Sequence, residues 1–142
     1  MTTAKGDSMK TILMTLGLMM TTAVFADLVP GVTDVRTIQH EGKPVELLTD
    51  VKGLSLYTFD PDGANESNCY DGCAKTWPPI LISAAIAETL EDGFSVAKRK
   101  DGTLQLTFDS HPLYLYVGDK KPGDVKGDGL GGVWHLAIDE DK

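Results

Sequence analysis

The chain has 142 residues, with 13 Lys and Arg against 21 Asp and Glu, and a formal net charge of −8. A charge of that sign repels phosphate backbones and anionic lipid surfaces, which argues against nucleic acid and acidic membranes as partners and leaves cations compatible.

At the N-terminus, Lys5 and Lys10 precede the apolar stretch 12–24, which ends at Val24-Phe25-Ala26. A basic start, an apolar core of about a dozen residues and small residues at −3 and −1 describe a secretory signal. Cleavage after Ala26 leaves Asp27 as the new terminus, and Met9 is an equally good start. The stretch falls short of the roughly 20 apolar residues needed to cross a bilayer. The expected product is therefore exported, periplasmic or secreted, without stable membrane insertion. The signal carries one acid and two bases, so the mature chain has a net charge of −9. All five methionines also leave with it, which removes the His/Cys/Met copper sites of electron-transfer proteins.

Residues 35–40 read as a strand, turned at Glu41-Gly42-Lys43 into a second strand over 45–49. After a turn at 50–53 comes a third, Leu54 to Phe59. Residues 60–72 read as a loop, and 77–82 as a short strand that Pro78 and Pro79 make an edge or an extended lead-in. A helix is expected over 83–92: Ser83 caps it, Ile82, Ile86 and Leu90 form one stripe, and Gly93 stops it. Residues 94–100 lead through Asp101-Gly102, a hairpin signal, into 103–108, where Leu104, Leu106 and Phe108 share a face. Strands over 113–117 and 133–138 follow, separated by a glycine-rich loop at 123–132. Leu54 and Leu56 oppose Tyr57 and Phe59, while Leu113, Leu115 and Val117 oppose Tyr114 and Tyr116. Strands apolar on both faces are central.

Tyr57, Phe59, Asp62 and Trp77 recur 57 residues later as Tyr114, Tyr116, Asp119 and Trp134, and Asp71-Gly72 as Asp128-Gly129. Several uncommon residues in one register mean an internal duplication. The expected architecture is one mainly β domain, 27–142, made of two tandem antiparallel three-stranded meanders (about 27–83 and 84–142). They pack about a pseudo-two-fold into a small sandwich or barrel, with one short helix between the copies. Trp77 and Trp134 would close the ends of the two meanders.

The strings Leu56-Tyr57-Thr58-Phe59-Asp60-Pro61-Asp62 and Leu113-Tyr114-Leu115-Tyr116-Val117-Gly118-Asp119 both fit Y-x-[FWY]-x-x-D. With Cys69-Tyr70-Asp71-Gly72-Cys73, Trp77-Pro78-Pro79, Arg99-Lys100-Asp101-Gly102, His111-Pro112-Leu113-Tyr114 and Gly131-Gly132-Val133-Trp134, they resemble the bacterial secreted-repeat family of predicted lipoproteins named for that motif. The resemblance implies exported or surface-attached tandem copies without a settled biochemical role. The cysteine that would carry a lipid is missing near the cleavage point.

Cys69 and Cys73, in an exported chain, are expected to form a disulfide. Closing so short a loop contributes roughly 2 kcal/mol, which fixes a loop rather than holds a fold. The alternative is a dithiol metal site or redox switch, confined to one copy because Lys126 and Leu130 stand at the matching places. Tyr57, Phe59, Tyr114 and Tyr116 are expected in the core rather than on a ligand platform. Asp62 and Asp119 are expected to tie their own turns. Asp60, Asp62, Asn65 and Glu66 offer oxygen ligands for Ca²⁺ but miss the EF-hand pattern. A transition-metal site assembled from His111, His135 and a carboxylate is the other metal candidate. No resident cofactor beyond these metals is expected, and no nucleophile–base spacing or phosphate loop is legible. The expected function is a non-enzymatic envelope interaction module that binds an envelope protein or small ligand. The alternative is a periplasmic metal-binding or thiol-redox protein using Cys69/Cys73 with acidic or His ligands.

Overall fold

A computed structural model describes residues 28–139; the expected signal at 1–26 lies outside them. Strands β1 (Thr33–His40) and β2 (Lys43–Asp50) form a hairpin, Thr33 opposite Asp50 and His40 opposite Lys43. Its turn residues Glu41 and Gly42 have φ of 50° and 79°, the paired positive angles of a two-residue turn that matches strand twist. Then come β3 (Tyr57–Phe59), helix α1 (Gly72–Thr76), β4 (Leu81–Ile82) and helix α2 (Ala84–Ala87). The second copy has β5 (Phe94–Lys98), β6 (Leu104–Phe108), β7 (His111–Pro112), a 3₁₀ turn at Leu130–Gly132, β8 (Trp134–Leu136) and β9 (Ile138–Asp139).

The fold is mainly β, built from antiparallel sheets, and no closed barrel forms among the described residues. The sheet orders are β1-β2-β9, β3-β8 and β4-β6-β5, with β7 also on β6. These orders interleave the copies. The first copy's β3 pairs with β8 of the second, Tyr57 opposite Leu136 and Phe59 opposite Trp134. In the matching half, Leu115 N–H donates to Pro78 O, Val117 N–H to Thr76 O, and Tyr114 bridges Pro79. Pro78 and Pro79 are tolerated there because that pairing uses the carbonyls of 76 and 78 and no proline N–H. The later part of each Trp segment then crosses to the opposite hairpin, β9 onto β2 and β4 onto β6.

At the corner of each Trp segment, three backbone bonds close a ring. Leu48 N–H donates to Ala137 O, Ala137 to Leu56 O, and Leu56 to Leu48 O; in the other half, Leu106 donates to Ile80, Ile80 to Leu113, and Leu113 to Leu106. All six residues are buried in one aliphatic core, with Val29, Ile82, Phe94 and Phe108. The opposite face of the central strands builds a second, aromatic core from Tyr57, Tyr114, Trp77, Trp134, Leu47, Leu136 and Cys69. Residues apolar on both faces thus separate two cores, as the alternation in the sequence requires.

Three expectations are corrected. The third strand of the first meander leaves its own hairpin after a single bridge, Thr49 to Ser55, because its ladder is made with the other copy. Trp77 and Trp134 do not close the ends of separate meanders; they stack on each other at 3.7 Å between ring centroids. The helix expected over 83–92 is one turn, Ala84–Ala87. Ser83 Oγ accepts from Ile86 N–H as the cap requires, but Thr89 Oγ1 bonds Ile86 O and ends the turn. The stripe itself is real, since Ile82, Ile86 and Leu90 all pack on the aliphatic core.

Candidate functional site

The repeat motif assembles where the copies cross. Tyr57 and Tyr114 exchange both backbone bonds, N to O at 2.8 and 3.0 Å, so a pseudo-two-fold passes between them. Their side chains cross as well. Tyr57 Oη donates to Asp119 Oδ2 at 2.6 Å, and Tyr114 Oη donates to Asp62 Oδ2 at 2.7 Å. Each motif Tyr therefore binds the motif Asp of the other copy. The expected turn-tying role holds for the second oxygen alone: Asp62 Oδ1 accepts from Asn68 N–H and Asp119 Oδ1 from Lys126 N–H.

Over these locks lies a stack of four rings in the order Phe59, Trp134, Trp77, Tyr116. Centroid spacings are 4.2, 3.7 and 4.4 Å, and interplanar angles 17°, 4° and 28°. Tyr57 meets Trp77 and Tyr114 meets Trp134 edge-on, at 5.3 and 5.2 Å. Edge contacts of this kind and offset stacks favour the ring quadrupoles, by about 0.5–1.5 kcal/mol per pair. Gly127 lies against this cluster so closely that a Cβ would sit 2.7 Å from the Trp77 ring and 2.9 Å from Tyr57. Both Tyr side chains are fully buried. Burial first, then the bond to Asp119, pushes the Tyr57 phenol far above its ordinary range. For Tyr114 burial again leads, opposed by the bond from Ser67 and reinforced by Asp62. Burial also holds the Asp62 carboxyl above the usual carboxylate range, against the lowering effect of the bonds from Tyr114 and Asn68.

The Tyr114–Asp62 lock has a further shell. Arg99 Nη1 donates to Ser67 Oγ at 2.9 Å and to Gln105 Oε1 at 2.8 Å, and Nη2 donates to Cys69 O at 2.7 Å. Ser67 Oγ lies 2.6 Å from Tyr114 Oη. Since Tyr114 gives its proton to Asp62, Ser67 is the donor in that contact. A directed chain results, guanidinium to Ser67 to Tyr114 to carboxylate, whose members polarise one another. Arg99 also lies 4.3 Å over the Tyr70 ring. Cys69 and Cys73 form the expected disulfide, with S–S 2.04 Å, and pin α1 directly before Trp77.

The expected metal donors scatter. Asp60 Oδ2 pairs with His135 Nε2 at 2.9 Å, Asp62 is held by Tyr114 and Asn68, and Asn65 Oδ1 accepts from Thr107 Oγ1. Glu66 meets Gly63 through a backbone bridge. His111 and His135 do line one open cleft of about 310 Å³, with Thr58, Asp109 and the apolar floor Phe108 and Leu136. Yet among the described residues no group of three His, Cys, Asp or Glu side chains is placed to hold a metal ion. His40 pairs with Asp128 at 3.5 Å, so both His–Asp pairs bridge the two copies.

Arg99 stands in one of the motif strings of the sequence, whereas Gln105 and Gly127 belong to none of them. Gln105 and Thr107 alternate with Leu104, Leu106 and Phe108 and read as a solvent face, but both are fully buried because the 60–72 loop folds over them. The legible signal is Arg99, the first residue of the turn Arg99-Lys100-Asp101-Gly102, whose Gly102 N–H donates to Arg99 O.

A family described as a secreted repeat of unknown function matches this chain twice, over residues 46–80 and 95–138. Neither a curated protein nor a solved structure matches it.

Proposed function

Because the chain belongs to the family of secreted repeats of unknown function, we propose that it is an exported, non-catalytic interaction module of the cell envelope, periplasmic or released. The observation that carries this reading is the pair of crossed Tyr–Asp locks. They commit the motif's hydroxyls and carboxylates to one another inside the fold, so the motif builds a scaffold and leaves recognition to the outer surface. The His111/His135 cleft, with its apolar floor and polar rim, has the character of a small recognition site. No helix among the described residues is long and apolar enough to cross a membrane, which suits a module that meets its partner from the aqueous side.

The test places a photoreactive benzophenone side chain at the exposed position of His111 and irradiates cells that make the protein. One recurrent envelope adduct, competed away by excess unmodified mature chain, is the expected result. Reproducible turnover of a small substrate by the purified chain would overturn the non-catalytic part, and labelling that does not saturate would overturn the interaction part.

A second reading, thiol redox handling, is favoured by the cystine itself. Cys69 is fully buried, which leaves Cys73 as the sulfur open to exchange. A disulfide inert to millimolar glutathione would eliminate it.

A further inference from the structure

We propose that this chain exchanges repeats with a second copy of itself. The first repeat of one molecule closes on the second repeat of another, and the two-fold dimer reuses the crossed Tyr–Asp locks and the ring stack. This goes beyond the interaction reading above and does not rest on it.

The bonds that close the fold run between copies: β2 to β9, β3 to β8, β4 to β6, Tyr57 to Tyr114 and Tyr114 to Pro79. Within a copy there remain the β1–β2 hairpin with its Thr49–Ser55 bridge, the β5–β6–β7 meander, and single backbone bonds such as Leu56 to Leu48 and Leu113 to Leu106. A repeat without its complement has Leu48 and Leu56 without Ala137, and one Trp instead of the pair. Such a half presents both cores to water and pairs with whichever complement it meets. Nothing in those contacts requires that the complement belong to the same chain.

The link between repeats is a crossover long enough to serve either partner. β4 and β5 are both antiparallel to β6 and flank it, so they run parallel to each other with β6 between. The chain leaving Ile82 must travel back along the sheet and cross over before entering Phe94. Parallel strands ordinarily need a crossover of a dozen or more residues, and here residues 83–93 make it. Gly93 takes φ of 87° at its end, and a Cβ there would meet Asp109 Oδ1 at 3.0 Å. In the closed chain this segment bridges a gap of roughly 16 Å, four residues along β6 and two strand spacings across. Opened out, the same segment spans roughly 36 Å, enough to hand the second repeat to a neighbour. In the closed monomer Ile86, Ala87 and Leu90 hold the crossing onto the aliphatic core, which opposes opening and makes exchange slow once folded.

The pairing is directed. The pseudo-two-fold alone would let a first repeat pair with another first repeat. The Arg99 bonds distinguish the choices, because Arg99 comes from the second repeat and its acceptors Ser67 and Cys69 O from the first. Like-with-like pairing of first repeats leaves both without that donor, so unlike repeats pair and the dimer closes.

Two measurements on the whole mature chain test this. Light and heavy isotope-labelled chains, disulfide intact, are unfolded together and refolded from micromolar to millimolar concentration. Native mass spectrometry should show mixed dimer rising at least tenfold over that range, persisting after dilution, and absent when already folded chains are mixed. Monomer alone at millimolar refolding would overturn the proposal. The second measurement removes residues 84–92, which leaves three Cα steps, about 11 Å, too few to bridge the roughly 16 Å from Ile82 to Phe94. The expected product is a dimer at every concentration, with the amides of Tyr57 and Tyr114 still protected from hydrogen exchange. A folded, protected monomer of that deletion would equally overturn it. If the deletion fails to fold, the refolding series decides.

Discussion

The two Tyr–Asp locks use the same motif and differ in what surrounds them. Tyr114–Asp62 sits at the end of a relay that begins at Arg99 and passes through Ser67, with Gln105 and Cys69 O on the same guanidinium. In Tyr57–Asp119, the place of Arg99 and Ser67 is taken by one main-chain group: Gly127 N–H donates to Tyr57 Oη at 3.2 Å. The first solution spends side chains that hydrogen-bond at a distance. The second brings backbone into the core, which demands a residue without a Cβ. Duplication preserved the lock and let its support diverge, so the pair is an internal control in which one chemical unit can be tested in two settings.

The largest expected effect erases the comparison by striking what both halves share. Trp134→Ala removes one of the two central rings and leaves a cavity between the copies, at a cost of about 3–5 kcal/mol in urea unfolding. A loss under about 1 kcal/mol would mean the stack does not hold the copies together. Next, Arg99→Met keeps volume and deletes the relay's source. It orphans Gln105 Oε1 and Cys69 O, removes one donor from Ser67, and should cost about 3 kcal/mol. Amide exchange should accelerate around 62–70 and stay slow around 119–127.

Smaller again is the contrast between the phenols. Tyr57→Phe strips Asp119 of its only side-chain donor in this core and leaves Gly127 N–H without an acceptor, at about 2 kcal/mol. Tyr114→Phe leaves Ser67 still held by Arg99 and should cost about 1 kcal/mol. Equal losses would show that the relay adds nothing to the lock.

The smallest effect is in pH. Burial raises the Asp62 carboxyl, so as pH falls the folded chain takes up this proton before the unfolded chain does. Stability from this group is therefore lowest above the raised value, increases as pH falls through it, and levels off once the unfolded carboxyl is also protonated. Asp62→Asn should flatten that step in a series of urea midpoints between pH 7 and 4. An unchanged step would assign it to another group.

Much of the scaffold was legible because periodicity and register are local. The 57-residue offset located Tyr57 and Tyr114, and two-sided apolarity placed their strands centrally. The cystine followed from compartment. An offset states which residues correspond, however, and is silent on whether a repeat folds on itself or on its twin. The crossed ladders, the Trp134–Trp77 contact and the exchanged aspartates all lie beyond it. Gln105 shows the same limit on a smaller scale. Alternation marks a face as polar, and only the loop from the other copy decides that the face is dry. The helix over 83–92 is shorter than its stripe for a local reason, since Thr89 Oγ1 donates to Ile86 O and ends it after one turn.

The stacked indoles have one more consequence. They are the only two in the chain, and at 3.7 Å and 4° their electronic transitions couple strongly. The chain thus carries an intrinsic chromophore pair that exists only while its halves are joined. Parting them converts one excitonically coupled absorber into two independent fluorophores, so circular dichroism near 230 nm and emission above 330 nm report closure with no added label.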